Sequence, residues 1–140
     1  DELFTAEKGK GAFMNDRRLR VASRKTLADS LVTTGIPHRG RANHSRFLQE
    51  MGTLMQEVAG IRRSGSAALD LAFVAAGRFD AYWEHGLKPW DIAAGIVMVR
   101  EAGGLVSDLG GGDKFLESGD ILAANTTLHK AFGGLLFTKA

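Results

Sequence analysis

The segment "GLKPWDIAAGIVMVREAGG", residues 86–104, decides how the rest of the chain is read. Proline fixes φ and has no N–H to donate, so Pro89 suits the first turn of a helix. Small and apolar residues follow it to Glu101, and the pair Gly103–Gly104 stops the run. The pattern predicts a helix with Asp91 in its first turn. There the unpaired N–H groups and the helix dipole favour a negative charge by about 0.3–1 kcal/mol. Asp91 therefore has an ordinary explanation as helix punctuation. It also has a functional one, because a rigidly aimed carboxylate suits a hard cation such as Mg²⁺, which takes oxygen ligands and water. One carboxylate does not complete such a site.

Working outward, "RFDAYWE" (78–84) alternates Phe79, Ala81 and Trp83 against Asp80, Tyr82 and Glu84, which is strand patterning. Glu84 ends that strand seven residues before Asp91, across the short connection "HGLKP". Both carboxylates can open onto one cleft at the strand's C-terminal end, where open α/β sheets bind ligands. The plain alternative for Glu84 is a solvated strand-end acid. Further upstream, "SAALDLAFVAAG" (66–77) is apolar nearly all round and predicts a buried helix with Ser66 at its start and Gly77 at its end. Gly65 and Ser66 sit where unpaired N–H groups can hold a phosphate or a hydroxyl; Ser66 can equally be a simple cap. No Gly-Lys-Ser/Thr follows, so this is not a Walker loop.

The other segments fill in a layered α/β chain. "LFTAEKGKGAFMN" reads as a β-hairpin around "EKGKG", and "LRVASRK" as a continuation of its sheet. A short helical turn over 26–30 leads into a strand, Leu31 to Thr34. Residues 41–58 carry Phe47, Leu48, Met51, Leu54, Met55 and Val58 at helical spacing. "GIRRSG", "LVSDL" and "ILAAN" read as further strands, "GGGDKFLESGD" as a loop, and "TTLHKAFGGLLFTK" as a closing helix interrupted by Gly133 and Gly134. Strands alternating with helices through 26–138 argue for one sheet with helices packed on it. Trp83 and Trp90 are expected in the core, and His38, His44, His85 and His129, which lack metal spacing, on the surface or in loops.

Composition narrows the function. A chain of 140 residues predicts one domain, and its net charge of +2 does not by itself call for a nucleic-acid partner. The basic run Arg17, Arg18, Arg20, Arg24 and Lys25 lacks the interleaved aromatics of a single-strand binder and reads as a solvated face. The absence of cysteine removes disulfides and thiolate metal sites and fits a reducing, cytoplasmic compartment. No apolar run approaches the roughly 18 residues of a membrane span. Residue 1 is Asp, and the hairpin begins almost at once, so the chain reads as the later part of a longer protein.

At this point the residues resemble a family. "WDIAAGIVMVREAGG" is similar to the C-terminal signature of the inositol monophosphatases. "RSGSAALDLAFVAAGRFDAYWE" resembles the segment before it, "LFTAEKGKGAFMND" the mid-chain hairpin and "ILAAN" the last strand. The resemblance covers essentially all of residues 1–140. It implies the C-terminal portion of a single layered α/β/α/β/α domain of the sugar-phosphatase type, a mixed sheet flanked by helices. It implies Mg²⁺-dependent hydrolysis of a small phosphate monoester by the intact protein, inositol 1-phosphate above all, and a homodimer. It implies that Asp91 is a metal ligand, that Glu84 hydrogen-bonds ring hydroxyls, and that Gly65, Ser66 and Ala67 lie along the substrate. The family's Glu-Glu pair and Asp-Pro-(Ile/Leu)-Asp-Gly-Thr motif do not occur here, so these residues alone are expected to be inactive. The alternatives are a sister phosphatase acting on fructose 1,6-bisphosphate, a 3′-phosphonucleotide or histidinol phosphate, and a non-catalytic module. Glu84 suits a neutral polyol, whereas basic residues beside it would suit the sister substrates.

Overall fold

The structure is a computed structural model, and it describes residues 1–137. Among these residues three short strands form an antiparallel meander: β1 (Phe4–Glu7), β2 (Gly11–Met14) and β3 (Arg17–Arg18). A 3-10 turn at Leu27–Asp29 then leads into β4 (Leu31–Thr34). There follow α1 (His44–Met55), β5 (Gly60–Arg62), α2 (Ala67–Ala75), β6 (Ala81–Glu84) and α3 (Pro89–Glu101). The chain closes with β7 (Leu105–Ser107), α4 (Phe115–Ser118), β8 (Ile121–Ala124) and α5 (Thr126–Leu136).

The larger sheet runs in the order β5-β4-β6-β8-β7. β4 pairs in parallel with β5 and with β6, while β8 pairs antiparallel with β6 and β7. It is a mixed sheet with helices on both faces. Tyr82, Ile121 and Ala123 face one core with Leu71, Ile96 and Val99 of α2 and α3, and the meander packs on the far side of these helices. Ala81, Trp83, Leu122 and Ala124 face a second core with Phe47, Leu54, Leu128 and Phe132 of α1 and α5. The successive layers are meander, α2 with α3, mixed sheet, and α1 with α5. A strand between two helical layers is buried on both faces, which explains why both alternating sets in "AYWE" include large buried aromatics.

Several expectations are corrected. Trp90 is 78% exposed rather than in the core, because it lies in the first turn of α3 at the lip of a cleft. The stretch "LRVASRK" (19–25) adds no strand to that sheet, whose third strand is Arg17–Arg18; Arg24 instead binds the buried Asp80 at 2.7 Å. α1 is shorter than the span 41–58 and leaves Leu48 and Met55 exposed. The "GGGDKFLESGD" loop contains α4. α5 passes through Gly133 and Gly134 without a break. Its buried side chains Leu128, Phe132 and Leu136 offset a glycine penalty of about 1 kcal/mol each. A Cβ at Gly133 would overlap the Phe137 ring. The part of the expected closing helix beyond Phe137 lies outside the described residues.

α2 and α3 meet at Gly95, where an added Cβ would stand 2.5 Å from the Cβ of Leu71. A methyl group there cannot be accommodated by rotating a flexible side-chain end. Alanine gains about 1 kcal/mol of helix propensity over glycine, but overpacking costs about 1–3 kcal/mol. Gly95→Ala should therefore lower the urea midpoint; a raised midpoint would show that the helices can move apart freely.

Candidate functional site

β4, β5 and β6 run in parallel, so their C-terminal ends emerge on one side of the sheet. The segments leaving β5 and β6 lead into α2 and α3, whose N-termini return to that same edge. Between them lies a cleft of about 380 Å³. Gly65, Ser66, Ala67, Glu84 and Asp91 all line it, with Arg41, Arg63 and Trp90 at its walls. The five residues singled out in the sequence are thus brought together.

Each is held by local chemistry. The Ser66 hydroxyl accepts from Leu69 N at 3.4 Å, which caps α2, and Gly65 takes φ +90°, a conformation open to glycine and strained for other residues. Asp91 Oδ2 accepts from Lys88 N at 2.9 Å. The capping reading of Asp91 is therefore real, and it uses one carboxylate oxygen; Oδ1 accepts no hydrogen bond among the described residues. The buried Tyr82 hydroxyl donates to Glu84 Oε1 at 2.7 Å. Burial first, and then repulsion from Asp70 and Asp91, raises the Glu84 pKa against the opposing Tyr82 bond and Arg41 charge. Gly35, at the end of β4, gives this carboxylate its room, since a Cβ there would overlap it.

Sequence reasoning missed three supporting groups. Asp70 hides in an apolar helix, yet its Oδ1 accepts from Thr33 Oγ1 at 2.7 Å and from Ser64 Oγ at 2.6 Å. It thereby ties the loop before α2 to β4. Its Oδ2 is buried without a partner, and burial raises the Asp70 pKa despite both hydroxyl bonds. Glu50 and His85 form the second and third. His85 lies in a loop, as one of the two expected placements had it, but it is not a surface residue: its side chain is 6% exposed and lies 2.8 Å from Glu50 Oε2. His129 is also half-buried, with Nε2 2.8 Å from Ser107 Oγ, and burial lowers its pKa. A carboxylate at a helical position facing a hydroxyl-bearing strand is visible only once the pairing of elements is known.

Among the described residues no group of three or more histidine or acidic side chains could hold a metal ion. Asp91 offers a single oxygen toward such a site, while a hard divalent cation takes about six.

The model of the inositol monophosphatase family matches residues 1–138. An inositol-1-monophosphatase of Mesorhizobium japonicum is 57% identical over 131 residues, which is 94% of this chain and 49% of that protein. A Nus factor SuhB of Pseudomonas aeruginosa is 54% identical over 132 residues, 93% of this chain and 49% of that one. The crystal structure of the extragenic suppressor protein suhB from Bartonella henselae superposes with a TM-score of 0.95 at 51% identity, covering 100% of this chain and 54% of that chain. The chain spans about half the length of the curated relatives it matches.

Removing the Asp70 acceptor should expose its role. Asp70→Ala leaves the Thr33 and Ser64 hydroxyls without their acceptor, at a cost of about 1–3 kcal/mol. Asp70→Asn keeps an acceptor oxygen and should cost less. Equal losses in the two variants, measured by urea unfolding, would contradict this account of the loop.

Proposed function

The chain belongs to the inositol monophosphatase family, and from that premise we propose that it carries one metal ligand and the hydroxyl-reading wall of a Mg²⁺-dependent phosphatase. The proposed substrate is a small phosphate monoester, inositol 1-phosphate above all, cleaved by the intact protein in the cytoplasm. The observation that carries this reading is the convergence of Gly65, Ser66, Ala67, Glu84 and Asp91 on one cleft.

Asp91 would hold a cation through the oxygen that its cap leaves unused. The cation, when bound, supplies charge neutralisation and an activated water. We place its remaining ligands in the part of the fold that these residues do not span. The N-terminus of α2 offers backbone donors from Gly65 to Ala67 to phosphate or ring oxygens. Glu84 accepts from ring hydroxyls, and its selectivity comes from leaving a half-buried carboxylate unpaired when the hydroxyl is missing. Tyr82 occupies Oε1 and so orients the other oxygen.

A second reading has one observation in its favour. Adjoining the cleft, and sharing His38, Arg41 and Glu84 with it, lies a pocket of about 470 Å³ that Lys88 also lines. The Arg41 and Lys88 cations suit a leaving group that bears a second anion, as in a sugar bisphosphate or a phosphonucleotide. A substrate panel on the intact protein separates the two, and preference for a nucleotide over inositol 1-phosphate defeats the first. Relatives named Nus factor SuhB share the family, so membership alone does not assign the chemistry; the cleft carries the argument.

In the intact protein, Asp91→Asn should lower turnover by about two orders of magnitude or more while the fold is kept. Glu84→Gln should act mainly on KM for the polyol phosphate. Residues 1–140 alone should show no Mg²⁺-dependent turnover. Wild-type activity in Asp91→Asn, or robust turnover by residues 1–140, would sink the assignment of Asp91 as one ligand among several. We also propose a homodimer, supported by the apolar surface that Ile36, Met51, Met55, Val58 and Ile61 form beside β5. Sedimentation of the intact protein should give twice the monomer mass, and Met55→Glu should shift it toward monomer; a wild-type monomer refutes this.

A further inference from the structure

Next to Glu84 the chain buries a charge network that the reading above does not use. His85 Nε2 lies 2.9 Å from Glu50 Oε1 and 2.8 Å from Oε2, and its Nδ1 lies 3.4 Å from Asp120 Oδ1. Glu50 comes from α1 and Asp120 from the turn between α4 and β8. An ionised carboxylate only accepts hydrogen bonds. A neutral imidazole would turn one lone pair against one of these two acids, so the geometry calls for the doubly protonated ring.

The surroundings agree. Glu50 also accepts from Arg46 Nε at 2.9 Å and Trp83 Nε1 at 3.0 Å. Burial pushes Glu50 up, but the bonds from His85, Arg46 and Trp83 overcome it and hold it below the usual carboxylate range. Burial alone would lower the His85 pKa; its bonds to Asp120 and Glu50 instead raise it to about 9. The charged groups facing the ring are Glu50 and Arg46 from α1 and Asp120 from the turn. Asp120 in turn acts on Asp108 beyond it, and Glu84 is the neighbour along the chain.

The same network stitches the connector that separates Glu84 from Asp91. Gly86 N donates to Asp120 Oδ1 at 3.0 Å, and Leu87 N donates to Gly119 O at 2.9 Å. Gly119 cannot carry a side chain there, since a Cβ would overlap Leu87 O. Glu84 is thus held from one side by Tyr82 and through its own backbone by the anchored His85.

We propose that His85 is a positioning residue for Glu84, a buried imidazolium clamped between α1 and the turn before β8 that keeps the Glu84 carboxylate aimed into the cleft. This rests on the phosphatase reading of that cleft. A staple that merely stabilised the fold would affect every substrate alike. A positioning residue affects the substrate whose hydroxyls Glu84 reads.

The test compares a polyol phosphate with an aryl phosphate that lacks ring hydroxyls, using the intact protein. In His85→Gln, KM for the polyol phosphate should rise about tenfold with kcat little changed, while the aryl phosphate is turned over as by wild type. Glu50→Gln should do the same. Wild-type KM for the polyol phosphate should also rise as pH passes through about 9, and the His85→Gln profile should lack that step. The sign follows because the folded pKa lies above the ordinary 6.5: the clamp is complete below that value and is lost as pH climbs through the folded pKa. Nitrogen NMR of wild type at neutral pH should show both ring nitrogens protonated. Equal losses on both substrates, or a neutral ring at neutral pH, overturn the proposal. If the variants do not fold, the wild-type pH step and the ring spectrum decide it. If wild type hydrolyses neither phosphate, the phosphatase reading itself fails and takes this inference with it.

Discussion

Strand β6 is buried on both faces, and the rest of the structure is arranged around that constraint. Tyr82 goes into the core under α2 and α3, and Trp83 into the core over α1 and α5. Its backbone is paired in parallel with β4 and antiparallel with β8, so it has no free edge. A strand held on four sides has one place to present a polar group, its end. Glu84 stands there. The parallel pairing with β4 puts Gly35 beside Glu84, and the absence of a Cβ at Gly35 leaves space for the carboxylate. The side chains that secure the strand also secure the acid: Tyr82 bonds it directly, and Trp83 donates to the Glu50 that holds His85.

The site therefore has little that is separable from the fold. Cap, core and cleft share atoms. Asp91 is both the first-turn acid of α3 and the lining of the cleft, and these two readings do not compete, because the cap engages Oδ2 only. Ser66 caps α2 and lines the same cleft. Asp70 is the costlier arrangement. It leaves one oxygen buried without a partner while the other accepts two hydroxyls. A buried unpaired polar atom costs about 1–3 kcal/mol; what it secures is the position of the loop that presents Gly65.

How much of this could be read in the sequence follows from the range of the interactions. The helix at 89–101 was legible because Pro89 and the Gly103–Gly104 pair are local signals, and the cleft residues were legible because strand end, connector and helix start lie close along the chain. Family resemblance then singled out the same residues. Trp90 was misread because tryptophan's apolar bulk argues for the core, while its place in the first turn of α3 puts it at the cleft lip. The uninterrupted α5 was misread because two glycines weigh against a helix locally, whereas the apolar stripe Leu128, Phe132 and Leu136 is buried by tertiary packing. His85 and Glu50 were invisible because they are far apart in sequence and each looks like a solvent-facing residue in its own segment.

That last failure bears on how the cleft is built. Residues that line the cleft lie on short connectors and leave a local signature. Residues that hold those connectors come from other layers, here α1 and the turn before β8, and leave none. The burial of an ionised acid such as Glu50 is costly unless several donors converge on it, and three do: His85, Arg46 and Trp83. A network of that kind tolerates the loss of no single member well, since each removal strands a charge in the interior. The aim of the Glu84 carboxylate is then set by the helix on the far side of the sheet as much as by the cleft that it faces.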